Sequence, residues 1–301
     1  MPPEQKTAVT RPLDAAATSL MLLLCLLWGF NQVVIKLAIP DIPPLIQAAI
    51  RSLFAGFLVA AWAQARGVPL TARDRTLLPG VVAGLLFGVE FLLIYRGLLW
   101  TSASRAALFI YTAPFFVVLG SRWFLPGDRF GVSQWLGLAL SFAGIVLAFG
   151  FPAPSGNPHE VLGDIMELAA GAAWGATTLI MKASALSRAP FEKVLLYQLG
   201  VSAPLLAVGA LLFGERIAGM PSGLTLASVA YQIVVISSAS YLAWFALIQR
   251  YSASRLSAFT FLTPLFGVAA GHLVLGEPIT PAFALAVAMV IGGLFLVNRP
   301  K

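Results

Sequence analysis

Read for hydrophobic and polar positions alone, the chain is a succession of apolar runs at 20–39, 44–65, 77–99, 104–124, 131–151, 162–184, 192–214, 223–248, 254–276 and 279–298, separated by short polar stretches. Each run is about the length that an α-helix needs to cross ~30 Å of hydrocarbon at ~1.5 Å per residue. The runs are continuously apolar rather than alternating, which argues against barrel strands, and lipid offers no partner to free backbone groups. The pattern predicts an all-α integral membrane protein with ten transmembrane helices.

The same residues recur at a fixed spacing. Trp28-Gly29 with Lys36 returns as Trp174-Gly175 with Lys182, 146 positions later. Ser102-Ala103-Ser104-Arg105 returns as Ser252-Ala253-Ser254-Arg255, and Pro114 as Pro264, both at 150 positions. A duplicated five-helix unit follows, and because five is odd the second copy enters the membrane from the opposite side, giving two inverted repeats. The expected organisation is an N-terminal tail at 1–19, a first repeat at 20–151, a Pro/Gly-rich linker at 152–161, a second repeat at 162–298 and a short tail at 299–301.

Composition agrees and narrows the function. Of 301 residues 59% are hydrophobic and 10% charged, against roughly 25% charged in soluble domains. The net charge of +7 would suggest nucleic acid in a soluble protein. Here the basic residues sit in short loops: with the N-terminus inside, fourteen fall on the cytoplasmic side and four outside, a positive-inside bias that places both termini in the cytoplasm of a bacterial inner membrane. Leu20–Ile39 is too long for a signal-peptide core and reads as an uncleaved first helix. One cysteine, Cys25, and two separated histidines, His159 and His272, offer neither a disulfide nor a metal cluster. No P-loop is present, so ATP-driven pumping is not expected, and no cofactor is implied. The expected partners are a small-molecule substrate and membrane lipid, in a monomer or weak homodimer.

These motifs resemble the drug/metabolite transporter superfamily, specifically its EamA-type members. The resemblance rests on Trp28-Gly29 and Trp174-Gly175, on the apolar Thr-Pro stretches Thr112-Ala113-Pro114 and Thr263-Pro264, and on Gly276-Glu277, which Gly127-Asp128 matches with a mild departure. It implies a transporter rather than an enzyme, and YddG-type aromatic amino-acid exporters are its nearest functional analogues. Export of amino acids is therefore inherited from likeness; broad multidrug efflux is a second reading and an intramembrane enzyme a third.

Polar side chains inside apolar helices mark the candidate site, since exposing them to lipid is costly. Trp28, Asn31, Gln32 and Ile35 share one face of the first helix, and Trp174, Thr177, Thr178 and Met181 do the same in the sixth. Arg51, Glu90 and Glu167 fall at one estimated depth, with Arg51 expected to neutralise Glu90 and one glutamate to meet a substrate ammonium or a proton. Tyr111, Tyr197 and Tyr241 complete the aromatic candidates, while Tyr95 and Trp244, near helix ends, are set aside as interface anchors. Pro114 and Pro264, each read as mid-helix, are expected to kink their helices and serve gating. Buried pairing and helix packing remain the alternative for every one of these groups.

Overall fold

A computed structural model describes residues 13–72, 74–125, 127–149, 157–276, 279 and 281–299, without the side chains of Ala103 and Ser104. The N-terminal tail up to residue 12, the first half of the expected linker and Glu277 lie outside the described residues.

The described chain is helical and contains no strand. Its helices are α1 (Ala15–Ala38), α2 (Pro44–Ala65), α3 (Leu77–Gly97), α4 (Ala103–Ile110), α5 (Ala113–Phe124), α6 (Val132–Phe149), α7 (Glu160–Ala183), α8 (Phe191–Leu212), α9 (Gly223–Tyr231), α10 (Tyr241–Arg250), α11 (Ala253–Phe259), α12 (Leu262–Leu275) and α13 (Ala282–Asn298). Among the described residues eight stretches are long and apolar enough to cross a membrane, with α4–α5, α9–α10 and α11–α12 each acting as one stretch. α13 is apolar but shorter, and α7 has 24 residues but carries Glu160, Asp164, Glu167 and Lys182. Large apolar side chains such as Leu78, Leu136, Leu211 and Phe57 are exposed around the bundle, a surface that suits lipid and not water.

α1 begins earlier than the apolar run suggests. The Asp14 carboxylate accepts from the Ala17 amide at 2.8 Å and caps the helix, so residues 15–19, expected in the tail, form its first turn.

Helix directions follow from the contacts at the two ends. α1 ends where α9 starts, with Asp41 accepting from the Ser222 amide at 2.8 Å and the Thr225 hydroxyl at 2.6 Å. α2 starts beside the end of α8, where the Glu215 carboxylate accepts from the Ile46 amide at 3.0 Å. Arg96, in the last turn of α3, stacks on Phe213 at 3.9 Å, just past the end of α8, and Gly97 meets Gly163 in the first turn of α7. At the far end, Lys182 in the last turn of α7 donates to the Ile248 and Tyr251 carbonyls at the close of α10, and the Tyr251 hydroxyl donates to Asp14 at the start of α1. α1 and α7, the two Trp-Gly helices, therefore run in opposite directions.

Two packing relations repeat in mirror roles. α1 lies along α12 as α7 lies along α5, and α3 touches α7 as α9 touches α1, while α2 pairs with α8 and α6 with α13.

Candidate functional site

The repeated motifs have structural meanings that place the centre of the bundle. The first serine of each Ser-Ala-Ser-Arg tetrad caps a short helix: Ser102 accepts from the Arg105 amide at 3.2 Å and Ser252 from the Arg255 amide at 3.1 Å. Those helices stop at Ile110 and Phe259, and a second helix begins after each break. The prolines explain the breaks, because the ring of Pro114 or Pro264 collides with a carbonyl four residues back, which ends the preceding helix. Pro114 is the second residue of α5 and Pro264 the third of α12. Neither lies mid-helix as expected; both sit in a first turn, where the missing N–H breaks no helical bond.

The glycine of each Trp-Gly pair seats its helix on these broken segments. A Cβ at Gly29 would lie 2.6 Å from the Thr263 oxygen and 2.7 Å from both the Gly267 nitrogen and the Phe266 Cβ. At Gly175 it would lie 2.8 Å from the Phe116 Cβ and 3.4 Å from the Ala113 oxygen and the Val117 nitrogen. The three neighbours correspond position by position at the 150-residue spacing. Gly29 thus rests on backbone and Gly175 on the Phe116 Cβ, both too close for a larger residue.

With the glycines turned to α12 and α5, the tryptophans point elsewhere. The Trp28 Nε1–H donates to the Ser240 hydroxyl at 2.9 Å, and its ring meets Trp244 at 5.5 Å and Tyr241 at 6.5 Å. Tyr241 continues to Phe87 at 5.8 Å, Phe87 to Phe91 at 5.0 Å and Phe91 to Tyr95 at 6.2 Å. A run of rings thus crosses from α1 through α10 to α3. Over Phe91, at 4.2 Å, stands the Arg51 guanidinium, which is 2% exposed; its Nε and Nη2 have no hydrogen-bond partner. Glu90, the residue before Phe91 in α3, is 7% exposed. Glu90 lies within reach of the Arg51 charge, yet no Arg51–Glu90 ion pair forms within 4.0 Å. The expected neutralising pair is not made: the guanidinium lies on a ring instead.

The structure brings Trp28, Glu90 and Tyr241 into one group, and adds Arg51, Phe87, Phe91, Tyr95, Trp244 and Ser240. Trp244 was set aside as an interface anchor but is 5% exposed and packed on Trp28. Its position three residues after Tyr241 on one helix face was the available signal. Trp174 and Tyr111 form a second pair with ring centroids 6.2 Å apart. The Thr177 and Thr178 hydroxyls donate to the carbonyls of their own helix at Ala173 and Trp174 and are satisfied there. Asn31 is buried, with its Oδ1 unpartnered.

Two candidates lie apart from the ring run. The Tyr197 hydroxyl is 3.0 Å from the Thr76 hydroxyl and its ring covers Gly80, so it packs the starts of α3 and α8 next to the Lys193–Asp74 ion pair. Glu167 is fully buried between α7 and α3, both carboxylate oxygens without a hydrogen-bond partner, with Oε1 2.8 Å from where a Gly97 Cβ would lie. Gly97 is seven residues, about 10 Å, beyond Glu90 along α3, so Glu167 does not share the depth of Arg51 and Glu90.

The two ends of the bundle differ. Met21, Cys25 and Gln32 share a face of α1; the first two are fully buried, while Gln32, two turns beyond Cys25, is exposed. Its counterpart in α7, Thr178, is 2% exposed. α11 is buried against α1, α5, α7, α10 and α13, whereas α4 packs chiefly on α6 and α7. At the start of α11, Asp128 accepts from the Ser252 hydroxyl and from the Ser254 amide at 3.1 Å, and Ser254 meets Ser121 at 3.1 Å. Burial is deeper at the end that carries the start of α1 than at the other.

Comparison with known proteins agrees with this geometry. The chain is 25% identical to a probable amino-acid metabolite efflux pump of Salmonella typhimurium, over 92% of this chain and 93% of that protein. It is 25% identical to the uncharacterized inner membrane transporter YedA of Escherichia coli, over 92% of this chain and 89% of that one. A solved crystal structure superimposes with a TM-score of 0.79 at 23% identity, covering 95% of this chain and 98% of the other, which shows the fold. The EamA-like transporter family matches residues 16–150 and, a second time, 161–299. Two matched copies, in a multi-pass helical bundle whose Trp-Gly helices run in opposite directions, establish that the chain belongs to the EamA-like transporter family.

Proposed function

We propose that the protein is a secondary transporter that exports small organic metabolites, amino acids foremost, across a bacterial inner membrane by alternating access. In this reading α7 and α13 join the eight apolar stretches to make ten spans in two inverted five-helix repeats; the end that carries the start of α1 is sealed and lies with both termini in the cytoplasm, and the other end is open. The observation that carries it is the unequal burial of equivalent positions: Gln32 is exposed while Thr178 is enclosed. Inverted repeats related by a two-fold axis in the membrane plane exchange roles when the bundle rocks. A state open at one end and sealed at the other is what such a cycle passes through. The efflux name of the Salmonella relative supports the substrate class. Gating by the Pro114 and Pro264 turns fits as well, since each ends a short helix beside the centre.

The test is counterflow in proteoliposomes loaded with amino acids, nucleosides or organic cations. Exchange of labelled amino acid, absent from empty liposomes, is expected. Failure of every solute class to exchange overturns the reading. The run of five rings from Trp244 to Phe91 favours a second reading, multidrug efflux, which uptake of planar organic cations without any amino acid would establish.

A further inference from the structure

We propose that Arg51 and Glu90 form a two-point dock for a zwitterion. Arg51 takes the carboxylate and Glu90 the ammonium of an α-amino acid whose apolar side chain lies on Phe87, Phe91 and Tyr241. The proposal rests on the transporter reading and specifies its substrate.

The argument begins with Arg51. A guanidinium stays protonated in proteins, and inside a membrane-spanning bundle an ionised group is tolerated when it is paired or faces a polar cavity. Arg51 has neither an ion pair nor a hydrogen bond at Nε and Nη2, and its charge rests on the Phe91 ring. Were its role to fix packing, the acid on the next helix would be expected at contact distance, because a buried pair repays its desolvation only with close geometry. Glu90 instead interacts with Arg51 across a gap longer than an ion pair. A guanidinium with unmet donors and a carboxyl held apart from it match a ligand that carries both signs on adjacent groups.

The walls agree with that ligand. Phe91 backs the guanidinium, and Phe87 joins Phe91 to Tyr241. Rings beside a split pair of charged groups distinguish an apolar or aromatic amino acid from either of its half-molecules. Arg51 lies seven residues inside the start of α2 and Glu90 seven inside the end of α3. Both are therefore about 10 Å below the open end of the bundle, within reach of a solute entering there.

The experiment uses the full-length protein in proteoliposomes and three probes of one shape: L-phenylalanine, phenethylamine, which lacks the carboxylate, and 3-phenylpropionate, which lacks the ammonium. The wild type is expected to prefer L-phenylalanine to each half-molecule by about 100-fold, the scale on which an unpaired buried charge is penalised. Arg51→Gln should collapse the preference over phenethylamine towards unity while leaving that over 3-phenylpropionate, and Glu90→Gln should do the reverse. Arg51→Lys should restore part of the first preference. A general loss of rate with both ratios unchanged marks a packing role and overturns the dock, as does a wild type that carries phenethylamine as well as phenylalanine. Should Arg51→Gln fail to fold, the wild-type ratios alone decide. Transport of nucleosides or organic cations with none of the three probes sinks the dock and leaves the transporter reading standing; no transport of any solute sinks both.

Discussion

Gly29→Ala tests the idea that the Trp-Gly motif exists for helix seating. The added methyl would stand 2.6–2.7 Å from three atoms of α12, two of them backbone and the third a Cβ, none of which can swing away. Restoring a normal separation of about 3.5 Å requires α1 and α12 to part by about 0.8 Å, enough to forfeit a quarter to a half of each dispersion contact along the seam. Overpacking of this kind costs about 1–3 kcal/mol, while replacing a helical glycine by alanine returns up to about 1 kcal/mol of backbone preference. Gly56→Ala provides the control, because a Cβ there meets the Leu199 Cβ at an ordinary 3.8 Å and only the favourable part applies. Unfolding in mixed micelles titrated with SDS should separate the two variants by about 2 kcal/mol, Gly29→Ala below wild type and Gly56→Ala at or above it. Equal stability of the two variants would refute the seating argument.

Three further outcomes are expected. Lys182→Met removes the ammonium that donates to the Ile248, Gln249 and Tyr251 carbonyls; the same titration should show a loss of about 1–3 kcal/mol, and a loss below about 0.5 kcal/mol would count against that cap. The Asp74 carboxyl, in the loop before α3, is lowered from 3.8 to about 2 by the Thr76 hydrogen bond first and by Lys193 after it. Its contribution to stability is present above about pH 4 and is lost as the pH falls towards 2, so the gap in thermal midpoint between wild type and Asp74→Asn should close over that window; a gap that stays constant to pH 2 contradicts the assignment. In a Cys25→Ser background, Gln32→Cys should react with an impermeant maleimide from the open end and Thr178→Cys should not, and equal labelling of both would deny the difference between the ends.

Much of the architecture was legible because lipid imposes one rule on every span: a run of about 20 apolar residues must be a helix. The repeats were legible because their motifs do mechanical work, serines as caps and glycines as seats. What escaped depended on contacts between residues distant in sequence. Tyr197 looked like Tyr241 in its helix, and only the register of α8 against α3 sends it to Thr76. Arg51 and Glu90 read as a pair because their depths match, but depth says nothing of how far apart two helices stand. The breaks in α4–α5 and α11–α12 were foreshadowed by proline, yet a proline kink and a first-turn proline give the same letters.

The stretch Gln232–Ser240, between α9 and α10, is coiled as a π-helix, with the Ser238 hydroxyl reaching the Ile233 carbonyl. The spacing between the halves is 146 at the Trp-Gly pairs and 150 at the serine tetrads, so the later copy is four residues longer in between. Its third span has 28 residues against 21 in α3. A coil of larger girth stores surplus chain without lengthening the rod in proportion. Four extra residues are thus absorbed within the span rather than expelled into a loop, and in the 150 register Ser240, a small neutral hydroxyl, stands where the sister helix carries the acid Glu90. The twins kept their shape and parted in their chemistry.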